Sequence, residues 1–269
     1  MAHSKFQIAP LRATQRDAAM ELSREAGWNQ TADDWQAFLD LGEVYHIERN
    51  GCIAATAAIM PYGGKYAWIS MVLTRTEARG QGYGTALMHH CVERTRTAGW
   101  SALLDATPLG EPIYRKLGFR PVTAWTRWRG KGRGLSGRKG SPDTAGALTR
   151  DAQCFGADRS GLISRFVDRT GFCVSTDDAF CFMRDGDFAH QLGPLGALTE
   201  AGALKSFESA ISFTGGDILV DVPDNAGLAD VLTDFGFERQ RPLLRMALGE
   251  VPEAVAPWRH YALAGPEFG

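Results

Sequence analysis

Between Met71 and Thr85 an apolar stretch, Met71-Val72-Leu73-Thr74, runs into Arg79-Gly80-Gln81-Gly82-Tyr83-Gly84-Thr85. From there the chain enters a pattern in which Leu87, Met88, Cys91 and Val92 recur at helical spacing. A strand that empties through a glycine turn into a helix leaves the first N–H groups of that helix without intrahelical partners, at the positive end of its dipole. Such a start suits a pyrophosphate, and Gly82 and Gly84 let the backbone come close to it. Two other phosphate loops are excluded. The dinucleotide fingerprint Gly-x-Gly-x-x-Gly needs glycine or alanine at position 87, where Leu87 stands, and the triphosphate loop needs a Gly-Lys-Ser/Thr run that this chain lacks. What remains is Arg-x-x-Gly-x-Gly.

The flanking patterns give this turn a setting. Residues 14–26 read as an amphipathic helix, and a second helix starts at Thr31, a capping hydroxyl followed by Asp33 and Asp34 in the first turn. Residues 43–49 alternate as a strand, Asn50-Gly51 is a hairpin turn, 52–60 form a second strand and 66–74 a third, an antiparallel meander. After a helix at 85–98 come a buried strand at 102–106, a short helix ending at Leu117 with Gly118 as its stop, and a strand at 119–128. Residues 130–142 are glycine-rich and carry Lys131, Arg133, Arg138 and Lys139; they read as an interdomain linker, with a basic flap over a phosphate as the sharper alternative. Beyond them an order recurs. Leu104-Asp105-Ala106-Thr107 leads through a helix to Leu117-Gly118-Phe119, and Val220-Asp221-Val222-Pro223 leads through a helix to Phe235-Gly236-Phe237. This predicts an internal duplication: an α+β (mixed α/β) chain with domains at 1–129 and 143–269, each a mostly antiparallel central sheet flanked by helices.

Composition limits the functions open to such a fold. The 269 residues suffice for two ordinary domains, and 44% hydrophobic residues can bury a core without metal or disulfides. A formal net charge of −2 offers no broad basic field, so neither nucleic acid nor membrane is an expected partner. The 5 cysteines, Cys52, Cys91, Cys154, Cys173 and Cys181, form no Cys-x-x-Cys pair. His89 and His90 point to different faces of one helix, so no metal site is expected either. With no bilayer-length apolar run and no signal-peptide pattern at the first residues, a soluble cytoplasmic protein is expected.

A second motif, Pro112-Ile113-Tyr114-Arg115-Lys116-Leu117-Gly118-Phe119, sets a tyrosine four residues before Gly-Phe. With the meander and the Arg-x-x-Gly-x-Gly turn, residues 6–129 resemble the GNAT N-acetyltransferase superfamily. The stretch 69–74, together with Leu104-Asp105-Ala106-Thr107-Pro108 and Arg245-Met246, resembles a bacterial group of that superfamily carrying a second, GNAT-like C-terminal domain. The resemblance implies acetyl-CoA as co-substrate. It implies that Arg79, Gly80, Gln81, Gly82, Tyr83, Gly84 and Thr85 hold the coenzyme A pyrophosphate, and that Val72, Leu73 and Thr74 run beside the pantetheine arm. A bulge in that strand would free a backbone N–H to polarise the thioester carbonyl, and Tyr114 would protonate the departing thiolate. Many members have Asn seven residues before the tyrosine; here Thr107 stands there, and its hydroxyl would replace the amide's contact to pantetheine.

The attacking amine must be neutral, so a base or a water relay is expected. Asp105, ending the buried strand, is the first candidate, with Glu77 and the strand pair His46 and Glu48 behind it; a carboxylate ordering the next turn is the plain alternative for Asp105. Trp28, Trp35 and Trp68 either line an acceptor pocket or fill the core. Asp33, Asp34, Asp40 and Glu43 read as a solvated helix face rather than as a lure for a cationic acceptor. In the second half the counterpart of the glycine turn, Leu198-Thr199-Glu200-Ala201-Gly202-Ala203, lacks the Arg-x-x-Gly-x-Gly spacing, and the counterpart of Tyr114 is Leu232. That half should be catalytically empty and wall off the acceptor site, with 261–268 returning toward the first half. The expected activity is acetyl transfer from acetyl-CoA to a primary amine of a small molecule, by direct attack in a ternary complex. The alternatives are a protein or peptide N-acetyltransferase and a non-catalytic acyl-CoA-binding sensor.

Overall fold

A computed structural model describes residues 6–135, 143–225 and 227–269. The first half runs β1 (Ile8–Pro10), α1 (Arg16–Glu25), α2 (Ala32–Leu41), β2 (Glu43–Arg49), β3 (Cys52–Tyr62), β4 (Tyr66–Thr74), α3 (Tyr83–Thr97), β5 (Ser101–Ala106), α4 (Glu111–Lys116) and β6 (Arg120–Lys131). The second runs α5 (Thr144–Phe155), α6 (Ser160–Thr170), β7 (Cys173–Ser175), β8 (Ala179–Arg184), β9 (His190–Ala197), α7 (Glu200–Phe213), β10 (Asp217–Pro223), α8 (Ala229–Asp234), β11 (Glu238–Leu248) and β12 (Arg259–Ala262). Gly130 and Lys131, where the linker was expected to begin, close β6, and its residues 136–142 lie outside the described residues.

Local chemistry accounts for the early elements. Thr31 Oγ1 accepts the Asp34 N–H at 3.2 Å while the Asp34 carboxylate accepts the Thr31 N–H at 2.9 Å, a reciprocal cap that starts α2. Asn50 and Gly51 take φ 52° and 78°, the paired left-handed conformation a two-residue hairpin demands, and β2 and β3 pair antiparallel across them.

One sheet crosses the molecule in the order β1-β2-β3-β4-β5-β11-β6-β10-β9-β8-β7. The halves exchange their long last strands. β11 pairs with β5, setting Arg245 opposite Asp105, while β6 pairs with β10, setting Arg127 opposite Asp221, and β6 and β11 pair with each other in the middle. The order β4-α3-β5-α4-β6 recurs as β9-α7-β10-α8-β11, with β4/β5 and β9/β10 both parallel, so the duplication reaches well beyond the strand-helix-Gly-Phe repeat.

Alternation along the central strands divides the core. Leu104, Ala106 and Met246 pack on Leu87, Met88 and Cys91 of α3. Leu103, Ala247 and Trp68 face the other way, into a cluster that joins Trp35 and Phe38 of α2 to Phe155, Phe166 and Phe268 of the second half. This packing corrects the solvated-face reading for Asp34, while Asp33 and Asp40 are exposed as that reading has them. Asp34 is fully buried and held by Arg169 at 2.8 Å and Arg184 at 2.9 Å, because the second half lies against α2. Asp40 pairs with Arg165 at 2.9 Å and Glu43 with Arg94 at 2.8 Å.

β12 pairs with β9, and Leu263 N–H donates to the Asp221 carbonyl of β10 at 2.9 Å, so this segment fills the gap between those strands. The chain then crosses back to the first half. Trp68 Nε1–H donates to the Pro266 carbonyl at 3.0 Å, Tyr62 O–H donates to the Phe268 carbonyl at 2.9 Å, and Phe268 stacks on Phe38 at 4.7 Å between ring centres. No helix among the described residues is long and apolar enough to cross a membrane.

Candidate active site

β4 and β5 pair only over 66–68 against 101–103 and then part. Just beyond, Met71 and Val72 together oppose Ala57 of β3, a bulge with Met71 at φ 52°. Thr56 Oγ1–H donates to the Met71 carbonyl at 2.9 Å and holds that conformation. A cavity of about 700 Å³ passes through the opening. Thr74, Arg79, Gly84, Met88, Thr107 and Tyr114 line its α3 side, Val72 and Leu73 its strand wall, and Trp28, Gln30, Arg127, Arg241 and Glu267 its other side.

The glycine turn forms the α3 mouth. Gly82 sits at φ 89° immediately before α3, a left-handed conformation that a side chain would strain. The first closing bond runs from Ala86 N–H to the Gly82 carbonyl at 2.9 Å, so the N–H groups of Tyr83, Gly84 and Thr85 precede the helical ladder. Arg79 Nε donates to the Thr74 carbonyl at 3.3 Å and Gln81 Nε2 to the Glu77 carbonyl at 3.3 Å, tying the turn to what precedes it. Tyr114 projects from α4, which Gly118 ends at φ 91°. The ring lies tight on Gly110, where an added Cβ would stand 2.8 Å from its Cε2. Burial, and secondarily the Cys91 thiol, push the Tyr114 phenol up to about 12.

An acetyltransferase (GNAT) domain model matches residues 40–121 and a second one matches residues 147–256. The chain is a tandem GNAT acyltransferase. A putative acetyltransferase from Pyrococcus horikoshii superposes with a TM-score of 0.81 at 17% identity, covering 100% of this chain and 98% of its own. A GCN5-related N-acetyltransferase from Sphaerobacter thermophilus gives 0.64 at 13% identity, with 93% and 96% covered. A tandem GNAT protein from the clavulanic acid biosynthesis pathway gives 0.63 at 13%, with 91% and 98% covered. At these identities the likeness concerns the fold. No curated protein matches the sequence.

Within this GNAT frame the other expected site residues fall in different places. Asp105 reaches the cavity, but both its carboxylate oxygens accept from Arg245 at 3.0 Å, and its side chain is fully buried. Burial raises its carboxyl above the ordinary value, against the pull of Arg245. Trp28 lines the cavity. Trp35 does not: it is fully buried in the core, its indole N–H donating to Ser23 Oγ at 3.0 Å. Trp68 lies under the Arg245 guanidinium, 4.5 Å from ring centre, and is likewise fully buried outside this cavity. The Tyr83 ring turns inward onto Phe6, 4.5 Å between centres, leaving its N–H as what it offers the turn. Gly80, at φ 76°, and Thr85 are exposed at the turn. Glu77, and His46 with Glu48 at 3.2 Å, lie off the cavity.

Gln30, Arg127, Arg241 and Glu267 also line the cavity and had no sequence signal. Glu267 is buried and comes from the returning segment, one oxygen held by Arg184. Their weight depends on which partners surround them in space, which spacing along the chain does not carry. The second GNAT unit keeps the frame and loses the opening. β9 has its own bulge, Gly193 and Pro194 together opposing Phe182, but β12 occupies the gap beside it. Thr199 Oγ1 takes the Gly202 N–H at 3.0 Å at the start of α7, and buried Leu232 stands at the position corresponding to Tyr114.

Proposed function

We propose that this protein moves an acetyl group from acetyl-CoA to the primary amine of a small molecule, by direct attack in a ternary complex. The observation that carries the reading is the cavity piercing the sheet where β4 and β5 part, with a glycine turn and Tyr114 on one side and second-half residues closing the other. The N–H groups opening α3 suit the coenzyme pyrophosphate. Pantetheine would lie along Val72, Leu73 and Thr74, where the parted strand has ladder groups to spare, with Thr107 at its other flank. The bulge releases a β4 N–H from the β3 ladder, a fixed donor for the thioester oxygen as negative charge builds there.

With its phenol at about 12, Tyr114 stays protonated throughout the physiological range. A thiol titrates at about 8.5, so the phenol serves the departing thiolate as a hydrogen-bond donor, and any proton it passes to sulfur is regained through solvent, the net transfer being the amine's proton to the thiol. The amine's proton needs an acceptor, directly or through a water relay, and a carboxylate lining the cavity would serve. Asp105 has both oxygens on Arg245, whereas Glu267 has one on Arg184 and lines the same cavity, so Glu267 is the better candidate base. Arg241, Leu243, Pro266 and Glu267 line a cavity of about 700 Å³, a space that favours a small acceptor over a protein chain. A cytoplasmic setting fits the donor.

The test is thiol release from acetyl-CoA across amino acids, polyamines, aminoglycosides and short peptides, for wild type and Tyr114→Phe. We expect one small amine to turn over, kcat to fall at least about tenfold in the variant with the KM for acetyl-CoA unchanged, and no alkaline loss of rate from Tyr114 below about pH 11. Full activity in Tyr114→Phe would remove the tyrosine from its role. Binding of acetyl-CoA without turnover of any amine would favour a sensor.

A further inference from the structure

One side of the cavity carries a guanidinium with no direct ion pair among the described residues. Arg241 on β11 stands opposite Arg127 on β6, two guanidinium groups on one face of the sheet. Arg127 is satisfied: Asp221 takes its Nε and Nη2 at 2.8 Å each, and Gln191 adds a contact at 3.4 Å. Arg241 is not. Its Nε is buried without an acceptor, and the side chain makes no hydrogen bond or ion pair among the described residues. Burial and the neighbouring Arg127 charge both push its guanidinium below the ordinary value, opposed by Asp221 and Glu267. A second group in the same cavity is also unmatched. Gln30 is 4% exposed, and its Oε1 is buried with no donor among the described residues. Leaving a buried polar group unpaired is expensive, and the same region pairs Asp105 with Arg245 and Arg127 with Asp221 through two bonds each. An open donor fork and an open acceptor in one cavity are the complement of a ligand bearing an anion and an N–H.

The coenzyme's phosphates do not fit this arginine. Along β11, Leu244 and Met246 pack toward α3, the side of the glycine turn. Arg241, Leu243 and Arg245 alternate to the opposite face, where Leu243 meets Trp125 of β6. Arg241 therefore belongs with Trp28, Gln30 and Glu267, on the side from which an acceptor would approach. A planar fork of N–H donors matches the two oxygens of a carboxylate.

We propose that the acceptor is a small amino carboxylate, its carboxylate bound by Arg241 and one of its N–H groups donating to Gln30. This rests on the acyltransferase reading above and adds the substrate class. The test is calorimetric titration of the full chain, saturated with coenzyme A, with the common amino acids and their carboxamides, for wild type, Arg241→Gln and Arg241→Lys. We expect at least one free amino acid to bind and its carboxamide to bind at least about tenfold more weakly. Arg241→Gln should abolish that difference and Arg241→Lys restore part of it, with coenzyme A affinity unchanged in both variants, which also reports that they fold. The inference is overturned if acid and carboxamide bind alike, if Arg241→Gln keeps the preference, if it weakens coenzyme A instead, or if no amino acid binds the coenzyme complex. Failure of the wild type to bind coenzyme A would bring down the acyltransferase reading itself, so the two failures are distinguishable.

Discussion

Asp105 and Arg245 meet at the seam between the halves, one on β5 and the other on β11, through two bonds of 3.0 Å. The Arg245 guanidinium also lies between the rings of Trp68 and Trp125, 4.5 and 4.7 Å from their centres. Taking both charges out of water consumes most of what their attraction returns, so the pair adds little net stability, but removing one partner leaves a buried charge unpaired. Asp105→Asn is therefore expected to lower unfolding stability by about 3 kcal/mol in urea, and adding Arg245→Met should recover much of the loss. An Asp105→Asn protein of unchanged stability whose pH–rate profile loses its acid limb would instead identify Asp105 as the base. Glu267→Gln is the matching control, since that carboxylate has only one oxygen committed.

At the scale of elements, the second gap shows what an empty notch becomes. Gly193 lies at φ 130°, and a Cβ there would stand 1.9 Å from the Leu263 carbonyl, so β12 is seated against a backbone with no room to spare. Gly193→Ala should unseat it, costing about 2 kcal/mol of stability and opening 259–263 to hydrogen exchange. Unchanged protection there would mean that β12 is not held by this contact. Elements set by neighbouring residues were legible in the sequence: the Thr31 cap, the Asn50-Gly51 hairpin, the glycine turn before α3 and the stop at Gly118 each rest on a few consecutive side chains and torsions. The expected linker start at Gly130 fell inside β6 because that strand is prolonged by pairing with β10, more than eighty residues away. The exchange of β6 and β11 and the insertion of β12 left no local mark for the same reason. Asp34 looked solvated because Arg169 and Arg184 come from the other half. Glu267 and Arg241 passed unnoticed because a committed or an orphaned charge is defined by its surroundings.

At the scale of the molecule, each half completes the other's sheet. Cutting the chain between β6 and α5 should therefore release nothing: the two pieces are expected to co-elute in size exclusion and keep acetylating, because β11 stays between β5 and β6. A first piece that ran alone and remained active would disprove the interdependence. The same exchange has a hereditary consequence. Deleting the second half would take a central strand, β11, from between β5 and β6, so each half is bound to the other's inheritance through folding alone, whatever chemistry either performs.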